Sequence, residues 1–173
     1  MTCTEKFLKL VKKGKLGEVA FAKWCNKNAI EWKDLSNDEY WQKKDVDFEA
    51  KYGDKVKLVE VKTDTVLHKY GNFAVELNQH RAREFKDSEL GWYYTSKADL
   101  MAVYEPTNKK LYLFDFTEFQ IFVALNYEKY KLKTKEDYMG SGKTKIRAFL
   151  CVRMSDFLNW MNERKKPVII EQM

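Results

Sequence analysis

The sequence predicts an α/β (α+β) fold, with a mixed central β-sheet of about four or five strands flanked by helices, and three observations carry that prediction. Apolar residues recur at helical spacing in the first 28 residues. Residues 45–50 and 55–63 each alternate apolar with polar, the strand signature, around a Tyr52-Gly53-Asp54 turn. Residues 99–105 and 110–116 form a second strand pair joined at Pro106-Thr107-Asn108. With 173 residues, only two prolines, no low-complexity linker and no repeat, the chain reads as a single domain, 1–173.

In chain order, Phe7, Leu8 and Val11 predict a helix over 4–13, which Gly14 can end. A second helix is expected from Leu16 to Asn28, with Glu18 sharing the apolar face of Phe21, Ala22 and Cys25. Residues 29–44 show no periodicity and read as irregular. The hairpin of 45–50 and 55–63 follows. A third strand is expected at Asn72–Leu77 and a short helix at Gln79–Phe85. After the pair at 99–105 and 110–116, Thr117-Glu118-Phe119-Gln120 has the pattern of a capping box and predicts a helix start. Lys145–Arg153 reads as a further strand, and Ser155 as the N-cap of a closing helix to Arg164.

Composition narrows the function classes. The hydrophobic fraction of 45% supplies a core and excludes disorder. The net charge of +6 and pI near 9.0 favour anionic partners, nucleic acid first. Cys3, Cys25 and Cys151 are odd in number and lack a CxxC pair, which argues against a disulfide framework or a zinc knuckle and suits a reducing cytoplasm. The N-terminus has no apolar leader and Ile121–Leu125 is too short to span a bilayer, so a soluble, cytoplasmic protein is expected.

The chemistry concentrates in Asp45-Val46-Asp47-Phe48-Glu49-Ala50 and Val59-Glu60-Val61-Lys62. Alternation puts Glu60 and Lys62 on one face, and the hairpin sets Asp47 beside them. Mg²⁺ takes oxygen ligands, commonly one or two carboxylates, and keeps positions for water and substrate phosphate. Asp47 and Glu60 meet that need, with the Val61 carbonyl as a further ligand. Lys62 can orient or deprotonate a water and stabilise charge growing on phosphorus. Asp45 competes with Asp47, but reads better as the solvated mouth of the strand.

Asp47 followed by Glu60-x-Lys62 resembles the signature of the PD-(D/E)xK nuclease superfamily. The thirteen-residue step from Asp47 to Glu60 is similar to that of its Holliday-junction resolvases. Glu18, after Gly17, matches a glutamate that such enzymes often carry on the first core helix. Gly71-Asn72-Phe73-Ala74-Val75-Glu76, Gly91-Trp92 and Lys97-Ala98-Asp99 extend the likeness over residues 14–120. Val46 stands where the signature has proline. The resemblance implies a restriction-endonuclease-like fold and Mg²⁺- or Mn²⁺-dependent DNA cleavage, with branched or structured DNA among the substrates. It implies Glu18, Asp47, Glu60 and Lys62 as catalytic residues. By analogy with the resolvases it also suggests a homodimer, and the small size suits a phage enzyme.

Other residues have two readings each. Glu76 is a further metal or water-orienting carboxylate, or a strand-end surface residue. Gln79 is a weaker candidate for phosphate contact, and Asp99 caps a turn. His68 and His80 are unclustered and read as surface. Gly140-Ser141-Gly142-Lys143-Thr144 has the tail of a phosphate loop, but Asp137 replaces its first glycine, so ATP binding is rejected. Residues 129–147 hold seven basic residues against two acidic, interleaved with tyrosines. They are a solvated charged loop, or a nucleic-acid contact through Lys129, Lys131, Lys133, Lys143, Lys145 and Arg147. The expected activity is a metal-dependent DNA nuclease. A non-catalytic nucleic-acid-binding module and an RNA-cleaving enzyme are its alternatives.

Overall fold

The structure, a computed structural model, describes residues 3–81, 84–138 and 144–173, with the backbone alone at 3–11, 79–81, 84–89, 137–138 and 144–145. Helix α1 (Cys3–Lys27) runs unbroken through Gly14, where the sequence predicted a stop. Tertiary contacts override the glycine: the Thr63 hydroxyl donates to the Gly14 carbonyl at 3.0 Å and accepts from the Gly17 N–H at 2.9 Å. A Cβ at Gly17 would stand 2.5 Å from Thr63 Oγ1, so this glycine permits the close approach of helix and sheet.

The hairpin forms as expected, from β2 (Phe48–Tyr52) and β3 (Lys55–Thr63), in register Phe48↔Val59. Residues 45–47 lie outside the strand, because Asp45 takes a positive φ of 48°. β6 (Leu100–Glu105) pairs parallel with β3, and β7 (Lys110–Asp115) antiparallel with β6. Two edge strands complete a six-stranded mixed sheet, β1-β2-β3-β6-β7-β10. These are β1 (Glu31–Asp34), in the stretch expected to be irregular, and β10 (Val168–Gln172). All four residues of β1 are exposed, so it carries no apolar alternation to read. The same stretch holds the short α2 (Glu39–Gln42), capped by Asp38, whose side chain accepts from the Tyr40 N–H.

The central sheet thus has six strands where four or five were expected, and a second, four-stranded antiparallel sheet was not foreseen. After the short α3 (Leu67–Tyr70), β4 (Asn72–Arg81) continues where a helix was expected at 79–85, and β5 (Glu84–Leu90) pairs with it. A bulge between Glu76 and Asn78 breaks the alternation, which hides the strand's second half from pattern reading. β8 (Leu132–Tyr138) and β9 (Thr144–Arg153) complete the order β5-β4-β9-β8. The basic stretch is therefore largely strand and not loop.

α4 (Trp92–Thr95) links the second sheet to the first. α5 (Phe116–Leu125) is capped by Asp115, which accepts from Glu118 N–H at 2.9 Å, and not by Thr117; Gln120 donates instead to the Tyr93 carbonyl. α6 (Met154–Glu163) starts one residue before Ser155, with no side-chain cap.

The core lies on both faces of the six-stranded sheet. On one, Phe21, Trp24 and Cys25 of α1 meet Phe48, Val59, Val61 and Leu113. On the other, Met101, Val103 and Phe114 meet the aromatics of α5 and α6 and Phe73, Val75, Leu150 and Val152 of the second sheet. The fold class is the α+β mixed sheet with flanking helices that the sequence predicts. No described helix is long and apolar enough to cross a membrane.

Candidate active site

Strand pairing assembles the site. Asp47 sits one residue before the Phe48↔Val59 pair, and its N–H donates to the Val59 carbonyl at 2.9 Å. This sets it beside Glu60. Its Oδ2 accepts from the Val61 N–H at 2.8 Å, so the carboxyl is clamped to β3 beyond the end of β2. The N–H and C=O of one strand residue leave by the same edge; the Val61 carbonyl therefore projects toward the Asp47 side. Glu60 and Lys62 share a face of β3, and Lys62 Nζ pairs with Glu60 Oε1. The ammonium also stands 5.3 Å from the Trp92 ring centroid, a cation–π contact that restrains it.

Glu60 is 2% exposed, and its Oε2 receives no hydrogen bond from any described residue. A buried carboxylate oxygen without a partner costs free energy unless a proton or a cation meets it. Burial drives the Glu60 carboxyl well above the ordinary carboxylate range; the Lys62 charge opposes this and the Asp47 charge adds to it. Burial likewise raises Asp47, against the pull of Lys62 and the Val61 N–H, with Glu18 adding to the rise. Two neighbouring buried carboxyls whose pKa values burial raises are suited to give up protons to a divalent ion. Among the described residues no three His, Cys, Asp or Glu side chains form a ready-made metal cage. Two carboxylates and a carbonyl match Mg²⁺, which rarely uses an all-protein cage.

Glu18 approaches from α1, on the opposite face of β3, and pairs with Lys15. Lys15, which sequence reasoning passed over, also donates to Ser36 Oγ at 3.2 Å. Its carboxylate neighbours Glu18, Asp34 and Asp47 raise its pKa, the Glu18 hydrogen bond most. Asp45 does not follow the alternation of Asp47: its side chain accepts from Thr95 Oγ1 and its carbonyl from Ser96 Oγ, tying the loop to α4. Asp99 accepts from the Leu58 N–H at 2.9 Å and braces β3. Thr95 and Ser96 were missed, and Trp92 was read only as part of a motif, because their roles depend on a contact across about 30 to 50 residues of chain.

Glu76 lies in the second sheet, where its Oε2 meets Arg147 Nη1 at 3.2 Å. Lys129 pairs with Asp156 at 2.9 Å. Lys131 and Lys133 are exposed at the start of β8. Lys143 and residues 140–142 fall outside the described residues, as do the side chains of Lys145, Gln79 and His80. His68 is exposed, with Nδ1 3.5 Å from the buried carboxylate of Glu105.

No protein-family model and no curated protein matches the chain. Among solved structures, a bacterial homing endonuclease, I-Ssp6803I, is similar in fold. The TM-score is 0.50 and the identity 18%, over 63% of this chain and 70% of that one. The likeness supports the restriction-endonuclease-like architecture that the sequence predicts.

Proposed function

We propose that the chain is a metal-dependent DNA nuclease of the PD-(D/E)xK kind, acting through Asp47, Glu60 and Lys62. The observation that carries this reading is the Glu60 carboxyl, buried with one unmet oxygen, beside Asp47 and against the Lys62 ammonium.

Asp47, Glu60 and the Val61 carbonyl would hold Mg²⁺ or Mn²⁺. Bound there, the cation supplies Lewis acidity toward a phosphoryl oxygen and lowers the pKa of a coordinated water. Lys62, restrained by Glu60 and Trp92, holds the attacking water in line and offsets charge that grows on the phosphate. The Val61 N–H keeps Asp47 from rotating away. Glu18, released from Lys15, adds a carboxylate from the helix side, and Lys15 becomes available to a phosphate. The net charge of +6 favours a polyanionic substrate, and the similar fold belongs to a homing endonuclease.

The test is a cleavage panel. Single-stranded, duplex and branched DNA and RNA are incubated with purified protein in Mg²⁺, Mn²⁺ or EDTA. Cuts in DNA that need the metal are expected. Binding without cuts on every substrate would replace the nuclease with a non-catalytic binding module, and faster cutting of RNA would change the substrate.

A further inference from the structure

The second sheet has one covered face and one open face. On β9, Leu150 and Val152 are fully buried against the core. The alternate residues, Arg147, Phe149 and Arg153, face the other way. Directly paired residues share a face, so Lys133 joins Phe149, Lys135 joins Arg147, and Glu76 stands across from Phe149 on β4. Arg147 is thus in the middle of the sheet, with β8 on one side and β4 on the other.

The cations on this face differ in kind. Lys131 and Lys133 are exposed at alternate positions beside and on the edge strand, with no ion pair to fix their heads among the described residues. Their spacing along an extended chain is about 7 Å, which lets both reach neighbouring phosphates of one strand. Arg147 is on a central strand, its side chain 37% exposed, and the Glu76 carboxylate at 3.2 Å orients its guanidinium. A fixed planar fork is what bidentate recognition of a purine edge requires, and a flexible ammonium is what phosphate contact requires. The major groove of duplex DNA admits a two-stranded ribbon, and guanine N7 and O6 are the usual partners of arginine there. Among the described residues of this face Phe149 is the sole aromatic, and it is only half exposed, so the stacking platforms of single-strand binders are missing.

We propose that the open face of the second sheet is the duplex-reading surface, with Arg147 contacting a guanine edge, Glu76 positioning it, and Lys131 and Lys133 carrying adjacent phosphates. The proposal rests on the reading that the polymer is DNA, and it makes Glu76 a positioning residue and not a metal ligand.

The test measures binding in EDTA, so no strand is cut and failure of catalysis cannot affect it. Duplexes retained from a randomised library are sequenced for wild type, Arg147→Lys, Glu76→Gln and Lys131→Ala/Lys133→Ala. The wild type is expected to select guanine at one position by about tenfold or more. Arg147→Lys keeps the charge and the affinity for random duplex but loses that selection, and Glu76→Gln weakens it. The double lysine variant keeps the selection, lowers affinity on every duplex alike, and reduces the slope of log affinity against log salt by about 2. Circular dichroism shows each variant folded. Unchanged selection in Arg147→Lys overturns the assignment of Arg147 while leaving the DNA reading intact. Failure of the wild type to retain any duplex overturns both.

Discussion

At the residue scale, the site's cost is carried by Glu60. Its native pKa, and that of Asp47, are raised above their ordinary values of 4.5 and 3.8, burial being the first cause of both. A native pKa above the unfolded one means that the folded state holds more protons. The associated stability is fully present below the ordinary values and is lost as pH rises through the native ones. Urea midpoints of the metal-free protein should therefore fall as pH rises from about 4.5 upward. Each unit of native elevation is worth about 1.4 kcal/mol. Glu60→Gln should flatten most of that fall, and Mg²⁺ should flatten it in the wild type. A midpoint independent of pH, or an unchanged slope in the variant, would show that Glu60 is ionised and content without a metal. The carboxylates and Lys62 were legible in the sequence because strand alternation is local. The Trp92 contact with Lys62 and the part of Lys15 were not, because they depend on tertiary packing.

At the element scale, the decisive device is the seating of α1 on β3. Gly14 and Gly17 lie in one helix and should respond in opposite directions to alanine. At Gly14 an added Cβ meets nothing within 4 Å, so Gly14→Ala should stabilise by up to ~1 kcal/mol through helix propensity. At Gly17 the Cβ would meet Thr63 Oγ1 at 2.5 Å and Val61 Cγ1 at 3.0 Å. Thr63 cannot turn aside without losing its bonds to both Gly14 and Gly17. Gly17→Ala should thus destabilise by about 1–3 kcal/mol, overpacking outweighing propensity. Equilibrium unfolding of the two variants checks this, and equal shifts would remove the close-packing argument. The sequence marked Gly14 as a helix end because glycine is the common terminator. It could not show that Thr63, far along the chain, satisfies the backbone there. The same limit hid β1, an exposed edge strand, and the second half of β4, whose bulge resets the alternation.

At the scale of the whole molecule, the proposed chemistry and the proposed duplex contact fall on different sheets. The six-stranded sheet carries Asp47, Glu60 and Lys62 at its centre, and the four-stranded sheet carries Arg147 with the exposed Lys133 and Lys135. Composition indicated the anionic partner through the net charge of +6, but the second sheet was invisible to it. The stretch 129–147 reads as a charged loop because its strand β8 faces solvent and lacks an apolar repeat. Pairing with β9, whose Leu150 and Val152 are buried in the core, is what makes it a strand. Binding should accordingly be steeply salt-dependent. Lys131→Glu with Lys133→Glu should weaken it on all sequences, measured by fluorescence anisotropy at several salt concentrations, and an unchanged affinity would remove the second sheet from the interface.

The central claim is that Asp47, Glu60 and Lys62 hydrolyse DNA together. Single-turnover cleavage by wild type, Lys62→Ala and Asp47→Asn, with saturating protein and Mg²⁺, tests it most directly. Each substitution should lower the rate at least ~100-fold while duplex binding in EDTA changes little. Cleavage that survives in either variant would place the chemistry elsewhere.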